Sequence, residues 1–255
     1  SELLFNNRGK AKFLQQQFSE AVKDYDLAIQ QKSSYGKAFL NRADAYFALK
    51  DWQNSINDYQ QAIKLEKAEK EVYTNLGYAY FQLKDWANAD VSLKKAIEMG
   101  DATAKNHFYK GICLYEMKKF APAIDDLEKA VALQLDTLPL TKSLAIAYYE
   151  LKNYEPALNN FQDWPEAELK PENNWQMGSA AWHLDNFPLA EAQLQKAADG
   201  KHQAEHLLYM LGHSQFQQEK FEPAFTNFSM AINNGSKESQ VFYLRGIISF
   251  EKQNF

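Results

Sequence analysis

Asparagine stands at Asn7, Asn41 and Asn75, spaced by 34 residues each time. A primary amide carries two donors and an acceptor, so a ladder of such side chains suits the backbone of an extended peptide without reading its side chains. A second periodic series is aromatic: Phe13, Phe47, Phe81, Tyr115, Tyr149, Trp182, Phe216 and Phe250. Rings in register supply buried area to a partner and act as interface anchors, and they serve equally to fill a core. Further rings keep company with that column at Tyr78, Phe108, Trp175, Tyr209 and Tyr243. Their distribution predicts a groove that is more polar toward the N-terminal end and richer in aromatics toward the C-terminal end.

Other reactive residue types point away from catalysis. His183, His206 and His213 fall on predicted helices, with His202 and His206 four apart on one helical face. No HExxH spacing or fixed carboxylate accompanies them, so they read as groove histidines, His213 among the partner-facing set, and not as metal ligands. Cys113 is the only cysteine, which excludes an internal disulfide and a thiolate cluster. It lies in a column otherwise mostly alanine and reads as a buried small residue. There is no glycine-rich phosphate loop and no nucleophile elbow. The expectation is a chain with no catalytic residues, no metal and no cofactor.

The elements that must position these side chains are set by an internal period. Small residues recur at Ala21, Ser55, Ala89, Ala123, Ala157, Ala190 and Ala224, with intervals of 34, 34, 34, 34, 33 and 34 residues. A second column, Gly9, Ala43, Gly77, Gly111, Ala145, Gly178, Gly212 and Gly246, keeps the same register. Helices packed ~8–10 Å apart need a small residue on one side of the contact, and glycine inside a helix costs ~1 kcal/mol against alanine, so its recurrence there has a packing reason. Aromatics precede each second helix at Phe18, Trp52, Trp86, Phe120, Tyr154, Phe187 and Phe221, where they would plug the turn. Prolines at Pro122, Pro156, Pro188 and Pro223 mark helix starts. One place breaks the pattern: Trp164 replaces the alanine of its column and Pro165 follows, so the second helix of the fifth repeat should stop near Asp163.

In the stretch 73–97 the column residues Tyr73, Leu76, Gly77, Tyr80, Ala89 and Leu93, with Ala96 after them, match the pattern W-x2-L-G-x2-Y…A-x3-F. The chain thus resembles the tetratricopeptide-repeat family. That resemblance implies an all-α fold, a right-handed superhelical solenoid of antiparallel helix pairs forming a single domain over 1–255. Repeats are expected near 2–35, 36–69, 70–103, 104–137, 138–170, 171–204 and 205–238, with a partial one at 239–255 and an irregular connection near 163–171. It also implies a concave groove lined by first helices, on which the partner-facing set would be Asn7, Asn41, Asn75, Tyr78, Phe81, Phe108, Tyr115, Tyr149, Trp175, Trp182, Tyr209, His213 and Tyr243. The family's carboxylate clamp for chaperone tails is not supplied: Lys10 and Asn41 follow one another, but Glu71 and Asn75 stand where the last basic pair belongs.

Composition narrows the partner. A formal charge of −5, with 28 basic and 33 acidic residues spread evenly, offers no footprint for a nucleic-acid backbone. No apolar run reaches the ~18 residues of a membrane span. A single cysteine favours the cytosol and is compatible with a periplasm, or with membrane association as part of a longer chain. Ser1 in place of an initiator methionine and a repeat halved at Phe255 predict a segment of a longer protein. The expected function is a non-catalytic scaffold that holds a partner peptide or helix in its groove within a multiprotein assembly. The alternatives are a regulatory or substrate-recruiting arm of a longer enzyme, and self-association through the unpaired helix after Ser239.

Overall fold

Each period contains two stretches with small and apolar residues at helical spacing, good helix formers between them, and polar turns at the ends. Both stretches are helices. The computed structural model describes residues 1–65, 68–204 and 206–253, and is 78% helix with no strand among them. The helices pair in sequence: α1 (Glu2–Leu14) with α2 (Phe18–Gln31), α3 (Gly36–Ala48) with α4 (Trp52–Leu65), α5 (Lys70–Gln82) with α6 (Trp86–Glu98), and α7 (Ala104–Glu116) with α8 (Phe120–Ala132). Next come α9 (Leu138–Glu150) with α10 (Tyr154–Gln162), α11 (Pro171–His183) with α12 (Phe187–Asp199), α13 (Leu207–Gln217) with α14 (Phe221–Asn233), and the single helix α15 (Ser239–Gln253). These are seven repeats and one extra helix. They fall into two compact units, Ser1–Asp136 and Thr137–Phe255, each with a buried core of its own.

The glycine column does what close helix packing requires. A Cβ on Gly77 would lie 2.7 Å from Leu93 Cγ and 3.2 Å from the Leu93 backbone nitrogen, on the partner helix of the same pair. Gly111 meets Leu127, Gly178 meets Leu194 and Gly212 meets Phe228 in the same way. The alanine column, Ala21, Ala89, Ala123, Ala157, Ala190 and Ala224, has no solvent exposure at all. Cys113 is equally sealed, and burial pushes its thiol up to about 12.

The turns inside the pairs share one geometry. Gln16, Lys50, Lys84, Lys118, Lys152, Asp185 and Glu219 all take left-handed backbone, φ between 56 and 61°, and the residue after each donates its N–H back into the first helix, as Asp85 does to the Tyr80 carbonyl at 3.0 Å. This closes the helix end as a Schellman turn with a residue other than glycine at the strained place. The turn aromatics pack edge-on against the ring five residues earlier: Phe13 on Phe18, Phe47 on Trp52, Phe81 on Trp86, Phe216 on Phe221.

Charge adds a second register in the first unit. Arg8 grips Asp24 at 2.9 and 2.5 Å, Arg42 grips Asp58 at 2.6 and 2.8 Å and reaches Asp26 at 2.5 Å, and Lys110 pairs with Asp126. The pairs are 16 residues apart, and in the third repeat both members change together, to Leu76 and Ser92.

In the second unit α10 has only 9 residues. It ends at Gln162; a short 3-10 turn follows at Glu166–Glu168, and α11 begins at Pro171. Trp164 folds inward to 7% exposure against Phe161, filling the space that the missing helical turn leaves, with Lys142 over its face at 5.3 Å. The histidine spacing needs correction. His202 lies in the connection after α12 and His206 is the N-cap of α13, so the two share no helix face. A break after Gly200, tied down by the Lys201 and His202 backbone N–H groups, separates them.

Candidate functional site

In the first unit the rings of α3, α4, α5, α6 and α7 meet. Tyr78 lies 5.6 Å from Phe47, 5.9 Å from Trp52 and 5.1 Å from Tyr109, and Phe81 lies 4.7 Å from Tyr109 and 5.3 Å from Trp86. Phe108 extends the group beside Tyr109 at 5.3 Å. All seven rings are only partly buried, so one side of the cluster packs on the core and the other meets solvent. The first unit thus carries an aromatic cluster of its own, beside the polar asparagine positions expected toward the N-terminal end. Tyr109 is pushed up to about 12, chiefly by burial.

The asparagine series does not act as a uniform ladder. Asn7 is exposed, whereas Asn41 donates to Asn6 Oδ1 at 2.8 Å and Asn75 donates to the Tyr59 hydroxyl at 3.2 Å. Tyr59 in turn donates to Asp44 Oδ1 at 2.6 Å. Asp44 occupies the same repeat position as Tyr78 and His213, one period before Tyr78. Burial lifts its carboxyl above the ordinary range, against the opposing pull of hydrogen bonds from Tyr59 and Asn75. Sequence reasoning passed over Asp44 because an aspartate within a helix reads as solvated; only its pairing with Tyr59, 15 residues on, reveals the buried network.

The second unit has a separate cluster. Trp182 donates its indole N–H to His213 Nδ1 at 3.1 Å, and Phe187 and Tyr209 close around the imidazole at 5.6 and 5.9 Å. Nδ1 accepts this bond and Nε2 lies 3.3 Å from the Gln217 side-chain amide nitrogen; burial lowers the His213 pKa from the usual value, with an opposing push from Asp185. His183 stacks flat on Tyr154 at 4.1 Å, and Tyr154 meets Tyr149 at 6.1 Å. Tyr209 is 8% exposed and donates its hydroxyl proton to Gln240, so it belongs more to the core than to an open groove. Tyr115 packs on Phe120, and Trp175 lies 6.1 Å from His202. Tyr243 stands out at 68% exposure on α15.

A register of paired helices with a glycine seated against its partner helix is matched by two family models, a TPR repeat over residues 43–84 and a tetratricopeptide repeat over 70–99. The chain is built of tetratricopeptide repeats. No curated protein matches it in sequence. Among solved structures, it resembles YrrB, described as a TPR protein with an unusual peptide-binding site, at 17% identity and a TM-score of 0.58, over 64% of this chain and 84% of that one. A tetratricopeptide-repeat protein from Parabacteroides merdae aligns over 97% of this chain and 98% of its own at 13% identity and a TM-score of 0.52. MamA from Desulfovibrio magneticus aligns over 63% and 91% at 16% identity and 0.54. At these identities the likeness establishes a solenoid-like helical repeat fold. In tetratricopeptide terms, Phe47, Phe81, Tyr115, Tyr149 and Phe216 each pack on a turn aromatic, while Asn7 and Tyr243 are exposed and Tyr78, Phe108 and Trp175 are partly exposed. Tetratricopeptide repeats are protein-interaction scaffolds as a family, and no helix among the described residues is long and apolar enough to cross a membrane.

Proposed function

We propose that the chain is a non-catalytic scaffold that binds a peptide or helix of a partner protein along the exposed faces of its first helices, as part of a multiprotein assembly. The observation that carries this reading is the ring cluster around Tyr78, whose partly exposed rings are drawn from three successive repeats. Aromatic side chains held rigid by their neighbours bind at low entropic cost. The sealed Cys113 thiol and the engaged His213 imidazole support a role without chemistry. Capture of proteins from a native extract tests the reading, comparing the wild-type chain with an Asn7→Ala/Phe108→Ala double variant and with Tyr243→Ala. A retained protein that is lost with the variants, at unchanged helical content by circular dichroism, is the expected result; retention indifferent to both variants would refute it.

Self-association through α15 is a second reading, favoured by the exposure of Phe242, Tyr243 and Phe250, at 46, 68 and 69%. Concentration-dependent light scattering that disappears in Tyr243→Glu/Phe250→Glu would support it.

A further inference from the structure

Between α3 and α5 lies a cleft of about 320 Å³, at the small end of the ~300–1,000 Å³ range of ligand sites and suited to a single side chain. Its apolar lining is Leu40, Ala62, Ala68 and Val72; its polar lining is Asp44 and Asn75, with Glu69, Glu71 and Lys37 also present. Glu69 and Glu71 are exposed and form the rim. Among the described residues, three carboxylates and one ammonium line the cleft.

Asp44 differs from the other inward-facing aspartates of this unit. Asp24 meets Arg8 and Lys12, Asp58 meets Arg42, and Asp126 meets Lys110 and His107. Among the described residues Asp44 forms no ion pair. Its partners are the Tyr59 hydroxyl and the Asn75 amide, both neutral. A carboxylate withdrawn from water is stabilised by a cation far better than by neutral donors, and Asp44, which has only neutral donors, lines an open cleft. Lysine and arginine have the complementary form, an aliphatic stem with a cationic head.

We propose that this cleft receives a lysine or arginine side chain of the partner peptide, its stem against Leu40, Ala62, Ala68 and Val72 and its charged head at Asp44, with Glu69 and Glu71 drawing it in. This rests on the peptide-binding reading and specifies one residue class of the ligand.

The test uses small probes on the whole chain: the Nα-acetyl methylamides of lysine, arginine and norleucine, followed by amide chemical shifts in α3 and α5. Saturable shifts with lysine and arginine, at least about tenfold weaker with norleucine, are expected. Asp44→Asn keeps the shape and an amide oxygen that can accept from Tyr59, and should weaken the two cationic probes about tenfold. Equal binding of norleucine, unchanged binding by Asp44→Asn, or no saturable shift would each overturn the proposal. Should Asp44→Asn lose its helical signal, the exposed pair Glu69→Gln/Glu71→Gln takes its place, with about threefold weaker binding expected and unchanged binding counting against the proposal. A chain that captures a partner through Phe108 yet ignores the lysine probe refutes the cleft alone; a chain that does neither refutes both readings.

Discussion

Replacing Gly77 by alanine sets two known effects against each other. In a helix interior the change is worth ~1 kcal/mol in favour of alanine. Here the new methyl would sit 2.7 Å from Leu93 Cγ and 3.0 Å from Cδ2, where carbon atoms prefer ~3.5–4.0 Å. Leu93 has no exposure, and its backbone nitrogen is also only 3.2 Å away, so turning the leucine side chain does not remove the clash and α6 must move. Overpacking of this kind costs ~1–3 kcal/mol. The net expectation is a loss of about 0–2 kcal/mol, centred near 1 kcal/mol, or a few degrees in melting temperature for a unit of this size. Gly246 occupies the same repeat position, but a Cβ there meets nothing within 4 Å. Gly246→Ala should therefore stabilise α15 by about 0.5–1 kcal/mol. Urea unfolding followed by circular dichroism reads the first variant, and amide hydrogen exchange in α15 reads the second. A stabilising Gly77→Ala, or a destabilising Gly246→Ala, would refute the claim that the column is small because of the facing helix.

Three further outcomes follow from the same contacts. Arg42→Ala leaves Asp58, 6% exposed, without its cation and should cost about 3 kcal/mol in urea unfolding, whereas Arg42→Leu/Asp58→Ser, the combination found at Leu76 and Ser92, should recover most of that loss. His213 has its pKa lowered in the fold by burial, as has His183; a lowered pKa means the folded state resists protonation. Stability of the second unit is thus complete above the unfolded-chain value of ~6.5 and declines as pH falls below it, and His213→Phe with His183→Phe should flatten that decline, as followed by Trp182 fluorescence during unfolding. Lys84 holds φ at 59°, which costs a side chain ~1–2 kcal/mol and glycine little beyond its own chain entropy; Lys84→Gly should raise the urea midpoint by about 0.5–1 kcal/mol of stability, and a lowered midpoint would show that the lysine side chain contributes more than the strain removes.

The helix pairs, their register and the break at Pro165 were legible in the chain, because these depend on local facts: which positions must be small, where a missing N–H stops a helix, and how often both recur. Tertiary structure decided which groove residues are open. Phe81 and Tyr149 look like anchors in sequence, yet Trp86 and Tyr154 take their edges; Asn41 and Asn75 look free, yet Asn6 and Tyr59 take their amides. The charge register had a readable signal, opposite signs 16 residues apart. Asp44 had none, because a carboxylate becomes a candidate site only when burial, neutral partners and an adjacent cleft coincide, and that coincidence comes from helices brought together by packing. Sequence by itself determined a tetratricopeptide-like solenoid, since periodic spacing fixes helix pairing; the surface left over for a partner was decided in three dimensions, where each side chain either finds a neighbour in its own chain or does not.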